Sequence, residues 1–179
     1  MSASGVAAAT DGRAPAPGLR ALAEARRQLG VKEDPPGSNR TPFGRWFGAD
    51  GEPWCAIFLS YCFKVGAGVV LCAGDGGPGC SPLGCAYVPT LEDWLRATGQ
   101  WLEPDAVARP GDIVVFNWDG GEADHAGLVA SVAPGGALRT IEGNCDDEVA
   151  RRARTTADVE GFGRIVVSAA GSGVFAEYT

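Results

Sequence analysis

Two features of this sequence could perform nucleophilic acyl transfer: a cysteine at the head of an apolar helix, and a histidine that has no other histidine to share its duties. Cys55 follows Pro53 and Trp54, and from there Trp54, Ile57, Phe58, Tyr61, Cys62 and Val65 recur at spacings of three and four. That period predicts a buried helix beginning near Pro53, with Cys55 in its first turn. Backbone N–H groups there have no intrahelical acceptor, and the helix dipole favours a thiolate over a thiol. His125 is the single histidine of the chain, so any mechanism that needs an imidazole base must use it. It stands at the start of the run HAGLVASV, just after Asp124, where a strand opens from a loop.

Hairpin geometry supplies a third member. The segment Ala133 to Gly136 (APGG) joins the run after His125 to the run ending in TIEGN. An even-length loop centred between Pro134 and Gly135 would set position 125 opposite 144. Residues two apart on a strand share a face, so His125, Glu142 and Asn144 are expected on one side of the sheet. Either Glu142 or Asn144 could accept the ring N–H and so fix the tautomer and orientation of the imidazole.

These residues need elements to hold them. An amphipathic helix is predicted over Gly18 to Leu29, with Leu19, Leu22, Ala25 and Leu29 on one side and Gly30 ending it. The stretch TPFGRWFGADGEPWC is rich in turn residues, yet Phe43, Trp46 and Phe47 require burial, so it is expected to fold onto the domain. A short helix is expected from a capping box at Thr90 and Asp93 through Leu91, Trp94 and Leu95 to Gly99. The period then changes, and Ile113–Phe116, Gly127–Val132, Leu138–Ile141 and Arg164–Val167 read as short strands. Helices first and strands afterwards predict an α+β domain with an antiparallel sheet. The expected organisation is a disordered lead over residues 1–17, one domain over 18–170 and a tail over 171–179.

The ordered motifs GEPWCAIFLSYC, PGDIVVF, DHAGLV and IEGN resemble the CHAP family, the cysteine- and histidine-dependent amidohydrolases and peptidases, over roughly Leu22 to Val167. The resemblance implies a papain-like fold. By motif, Cys55 is similar to the family nucleophile, His125 to its general base, Glu142 to the residue that orients the base, and Asn144 to a further polar residue of the site. It also implies cleavage of a peptidoglycan amide bond by a monomeric enzyme, with muramoyl-L-alanine amidase and peptide endopeptidase both open, as in phage lysins, autolysins or delivered toxins. A delivery system or holin would then be a further partner. The same residues also permit a cysteine peptidase or deamidase that acts on proteins. A papain-like wall-binding or virion module without catalysis would need Cys55, His125, Glu142 and Asn144 to be retained to no purpose.

Composition narrows the alternatives. With 15 basic and 22 acidic residues the net charge is −7, which leaves no surplus for neutralising phosphates and argues against a nucleic-acid binder. Arg151, Arg152 and Arg154 form the one basic cluster, and a solvated face is the expected place for it. No apolar run approaches the roughly 20 residues of a membrane span, and the N-terminus lacks the basic-then-apolar pattern of a secretory signal. Synthesis in the cytoplasm, followed by export or delivery to the wall, is therefore expected. Asp50 and Glu52 are too few oxygens for a calcium site of about six to eight ligands, so no metal or other cofactor is expected. The remaining cysteines, at 62, 72, 80, 85 and 145, contain no C-x-x-C pair; one disulfide among Cys72, Cys80 and Cys85, with Cys62 open to a second, would staple the Gly-rich insertion, and reduced thiols throughout are the equal alternative.

Overall fold

The computed structural model describes residues 14–167, so the expected lead over residues 1–17 falls outside the described residues except for residues 14–17, and the expected tail over 171–179 falls outside them altogether. Among the described residues no helix is long and apolar enough to cross a membrane. Helix α1 (Pro17–Arg27) starts on Pro17, whose fixed φ suits a first helical position, and it buries Ala21, Leu22 and Ala25. Leu19, expected on that apolar side, is exposed. Helix α2 (Pro42–Phe47) forms from the aromatic stretch, because the Thr41 side chain accepts the Gly44 N–H and caps it. Phe43 disappears into the core, stacked on Trp54 and edge-on to Phe58 and Tyr61.

Helix α3 (Cys55–Tyr61) opens two residues later than Pro53, with Trp54 as its cap, and continues into a wider π-helical turn over Cys62–Ala67. Every α3 residue from Cys55 to Ser60 is buried. A small hairpin, β1 (Cys80–Ser81) and β2 (Gly84–Cys85), follows, and then helix α4 (Val88–Ala97). α4 starts on Val88 and Pro89, with Tyr87 as its cap and no side-chain cap bond, so Thr90 and Asp93 sit inside the helix instead of capping it.

The main sheet contains β3 (Trp101–Leu102), β4 (Ile113–Phe116), β5 (His125–Val132), β6 (Leu138–Cys145), β7 (Glu148–Arg154) and β8 (Val159–Gly163). Its order is β3-β8-β4-β5-β6-β7, and every pairing is antiparallel. The α+β architecture with helices packed on an antiparallel sheet is the one expected. One strand is displaced: residues 164–167 lie beyond the sheet, and the chain pairs instead through Val159–Gly163. Two glycines make that segment a poor strand by composition, yet a Cβ on Gly161 would meet the Trp101 ring and one on Gly163 would meet Leu95, so the bare backbone is what lets β8 pass beneath both side chains.

The larger core lies between the helices and one sheet face, where Ala126, Leu128 and Ile141 meet Ile57, Phe58 and Leu22. The opposite face carries a second, smaller cluster of Val114, Phe116, Val129, Leu138, Val159 and Phe162. α3 approaches β6 closely at Gly143, where a Cβ would stand 2.6 Å from Phe58 Cβ and 2.7 Å from its Cγ. Since both partners are rigid and buried, Gly143→Ala should push α3 away from the sheet. A loss of about 1–3 kcal/mol in urea unfolding is expected, as for other overpacked cores, and unchanged stability would mean that α3 can shift without strain.

Candidate active site

The residues singled out by the sequence converge at one end of β5. Cys55 is the first residue of α3 and 7% exposed; His125 is the first residue of β5 and also 7% exposed. The position of Cys55 depends on the residue before it. Trp54 is wholly buried, and its indole N–H donates to Glu33 Oε1 at 2.9 Å, while Glu33 Oε2 accepts the Asn39 N–H at 2.7 Å. Glu33, itself 4% exposed, thus fixes the cap of α3 from the loop after α1.

Glu142 on β6 is fully buried, with Oε2 at 3.0 Å from His125 Nε2. Three further hydrogen bonds converge on its carboxylate. Arg154 on β7 donates through Nε to Oε1 at 3.0 Å and through Nη2 to Oε2 at 2.6 Å, and the Thr140 hydroxyl donates to Oε1. Burial alone would raise this carboxyl, but the bonds from His125, Arg154 and Thr140 outweigh it and hold it down to about 2. An ionised Glu142 only accepts, so Nε2 carries the donated proton and Nδ1 is the ring atom left for Cys55. Burial also opposes charge on the imidazole. The Cys55 thiol, first among the influences that raise it, and Glu142 together overcome that and bring His125 up to about 9.

These shifts have consequences for stability with opposite signs. The raised His125 stabilises the fold fully below its ordinary value near 6.5, and that contribution is lost as pH rises through about 9. The depressed Glu142 contributes above the ordinary carboxylate range, and its part is lost as pH falls through about 2.

The register that joins these residues differs from the simple hairpin expected. The turn closes with Ala133 N–H on Ala137 O, around Gly135 and Gly136, both at φ 87°. It is therefore an odd-length loop, and Val132 pairs with Leu138. A bulge between Val129 and Ser131 then shifts the pairing by one, so that Leu128 meets Ile141 as an even loop would have made it. Gly127 accordingly faces Glu142, whose Cγ would lie 2.6 Å from a Cβ there. Asn144 is half-buried with φ 57°, within an irregular stretch of the β6–β7 pairing, and forms no side-chain hydrogen bond to His125.

Several residues of the site carried no sequence signal of their own. Arg154 belongs to the cluster expected on a solvated face; Arg152 points to exposed Asp146, but Arg154 closes over Glu142. Both lie on one face of β7, opposite Thr140 and Leu138, and the partners that each side chain reaches separate the two. Phe116, the cross-strand partner of His125, stacks near its ring with centroids 6.1 Å apart, and half-exposed Trp118 stacks on it at 5.3 Å. Arg154 lies over both aromatic rings, at 5.4 and 5.3 Å.

Beside Cys55 opens a cleft of about 740 Å³, whose walls include Glu52, Pro53, Tyr87, Glu122 and Asp124. The Tyr87 hydroxyl donates to Glu122 across it at 2.6 Å. Asp50 accepts the Thr41 N–H and lies 3.8 Å from Arg45. A buried thiol, an imidazole raised by that thiol and by a carboxylate, and an adjoining cleft form a set suited to acyl transfer, with the thiol attacking and the ring moving the proton.

The profile of the family described as CHAP domain matches residues 47–144. Two solved structures resemble the chain: the crystal structure of Ly7917, with a TM-score of 0.48, and that of Ly7917 with the hydrolyzing product of MDP, with a TM-score of 0.49. Each is 19% identical in sequence over 81% of this chain, and the match spans 61% of the other chain. Comparison with curated proteins finds no match.

Because His125 is alone of its kind, its ring resonances can be followed by NMR without assignment. In the parent they should titrate near 9, and in Glu142→Gln they should move back toward the ordinary value of about 6.5. An unmoved titration would remove Glu142 from the relay. Arg154→Ala should cost on the order of 3 kcal/mol in denaturant unfolding, the low end for breaking a buried pair, while Arg152→Ala, whose partner is exposed, should cost less than about 1 kcal/mol.

Proposed function

Because the chain belongs to the CHAP domain family of cysteine- and histidine-dependent amidohydrolases and peptidases, and is therefore a hydrolase, we propose that it cuts an amide bond of peptidoglycan with Cys55 as nucleophile. The observation that carries this reading is the relay at the end of β5: Cys55 beside His125, and His125 Nε2 held at 3.0 Å by a buried, ionised Glu142.

In this reading Nδ1 of His125 takes the Cys55 proton, and the thiolate attacks the scissile carbonyl carbon. Glu142 stabilises the imidazolium that results, because a carboxylate 3.0 Å away in a water-poor site offsets the burial of its charge. Arg154 and Thr140 keep that carboxylate ionised and fixed in orientation. The Cys55 backbone N–H, at the open start of α3, faces the oxyanion that forms. When the C–N bond breaks, the imidazolium gives its proton to the leaving amine. Water, deprotonated by the neutral ring, then hydrolyses the thioester and frees Cys55.

The cleft beside Cys55 is the place for the substrate chain, and its acidic rim of Glu52, Glu122 and Asp124 suits a peptide that carries free amino groups. Asn144, close in sequence to Glu142 but not bonded to His125, supports the site less directly. Action on the wall requires export or delivery from the place of synthesis.

Cys55→Ala should abolish release of fragments from purified peptidoglycan while the far-UV circular dichroism stays unchanged. His125→Ala should be equally inactive, Glu142→Gln severely impaired, and Asn144→Ala less so. Mass spectrometry of the new ends names the bond, separating amidase from endopeptidase. Continued hydrolysis by a clean Cys55→Ala preparation would overturn the assignment, and activity on protein amides but not on peptidoglycan would move the chain to another substrate class.

A further inference from the structure

Between the π-helical turn and α4 the chain makes an insertion, CAGDGGPGCSPLGC over residues 72–85, that is poor in apolar side chains and is joined to the core by its cysteines, Cys72 and Cys85 within it and Cys80 packed against it. Its three cysteines meet. Cys80 and Cys85 are direct cross-strand partners in the β1–β2 hairpin, and the flanking bond from Ala86 N–H to Gly79 O makes theirs the close, non-hydrogen-bonded kind of pair. Cys72 reaches the same point from the preceding loop, in a left-handed backbone conformation at φ 56°. The three sulfur atoms all lie within 4.8 Å of one another.

We propose that Cys72, Cys80 and Cys85 bind a thiophilic divalent cation, of which zinc is the type, as a structural site that holds one wall of the cleft. Three thiolates around a tetrahedral zinc, with bonds of about 2.3 Å, would sit roughly 3.8 Å apart, so closing the observed triangle requires only small side-chain adjustments. A disulfide engages two sulfurs and leaves the third packed against it without a partner, whereas a metal uses all three. The fourth position faces a hollow lined by Cys72, Asp75, Gly76 and Cys80, open to water or to the Asp75 carboxylate. Binding displaces the thiol protons, and its free energy supplies the ordering that a Gly-rich segment cannot obtain from apolar burial.

The hairpin is already fastened to α3. The Ser60 hydroxyl, fully buried, accepts the Cys85 N–H at 2.8 Å and donates to Cys85 O at 2.7 Å, and Gly84 lies so close that a Cβ there would meet Ser60 Oγ at 2.4 Å. Pro78, Gly79, Ala86 and Tyr87, which flank the cysteines, line the cleft beside Cys55. The metal would therefore fix the wall against which substrate lies, without touching the reacting atoms.

The test uses the full chain, reduced and freed of metal, and reads binding instead of hydrolysis. Zinc titrated against a chromophoric chelator should bind at about one per chain, and cobalt(II) should give thiolate charge-transfer absorption with the intense visible bands of a tetrahedral site. Zinc should also shield three thiols from a thiol reagent. Cys80→Ser, at the half-buried member of the set, should weaken binding by more than about tenfold, while Cys55→Ser and Cys62→Ser should bind as the parent does. The proposal fails if the reduced parent binds neither metal, if Cys80→Ser binds unchanged, or if peptide mapping of active protein finds a disulfide within the trio. None of these readouts depends on which amide bond the enzyme cuts.

Discussion

The burial of one ionised carboxylate organises this molecule. Glu142 has no exposed surface, and an uncompensated charge there would cost several kcal/mol, so the fold is stable to the degree that its donors are in place. Those donors come from three adjacent strands: His125 from β5, Thr140 from β6 itself and Arg154 from β7. A slip of one residue between any two strands would turn a partner to the other face and leave the charge unpaired. The constraint that sets the sheet register is thus the same one that aims the imidazole.

The Cys55 thiol, the proposed nucleophile, is delivered independently, by packing. α3 lies on the opposite sheet face, and its close approach depends on Gly143, where a side chain would collide with Phe58. Its N-terminus is fixed by Trp54, buried and bonded to Glu33, so that Cys55 is held from behind by an element distant in sequence. Two rigid supports, a polar one under His125 and an apolar one under Cys55, meet at the end of β5. This division suits the proposed roles, since a base needs charge partners to set its protonation, whereas a nucleophile needs only a position and an open approach. Phe116 and Trp118 then cover the ring and keep water from competing for its bonds.

Much of this was legible in order along the chain. The three-four spacing after Pro53 places Cys55 at a helix start, the lone histidine is the one imidazole the chain can offer, and the strand runs after Pro110 announce an antiparallel sheet. The pairing of the His125 strand with that of Glu142 also follows from the sequence, although the loop that joins them has the other parity. An odd turn and a bulge near Ala130 compensate each other, and neither leaves a mark in the residue pattern. Residues 164–167 looked more like a strand than Val159–Gly163, because β propensity rewards branched side chains and is blind to the large neighbours, Trp101 and Leu95, that make glycine necessary.

The sequence by itself determined which groups could do chemistry and on which kind of element each would sit, because periodicity and residue type are local properties that short-range physics reads directly. What only the tertiary structure decided was company. Of Arg151, Arg152 and Arg154, neighbours alike in composition, one alone closes on Glu142: Arg152 and Arg154 share a face, opposite Thr140 and Leu138, and the Arg152 side chain is taken up by Cys145 and Asp146 while that of Arg154 runs to Glu142. Between Glu142 and Asn144, equally placed by alternation, the bond to His125 goes to Glu142, while Asn144 turns into a left-handed conformation within the irregular β6–β7 pairing. The gathering of Cys72, Cys80 and Cys85 is likewise a product of chain folding and not of spacing. Contacts between strands and loops distant along the chain depend on register, bulges and close packing, and those are settled by the whole molecule at once.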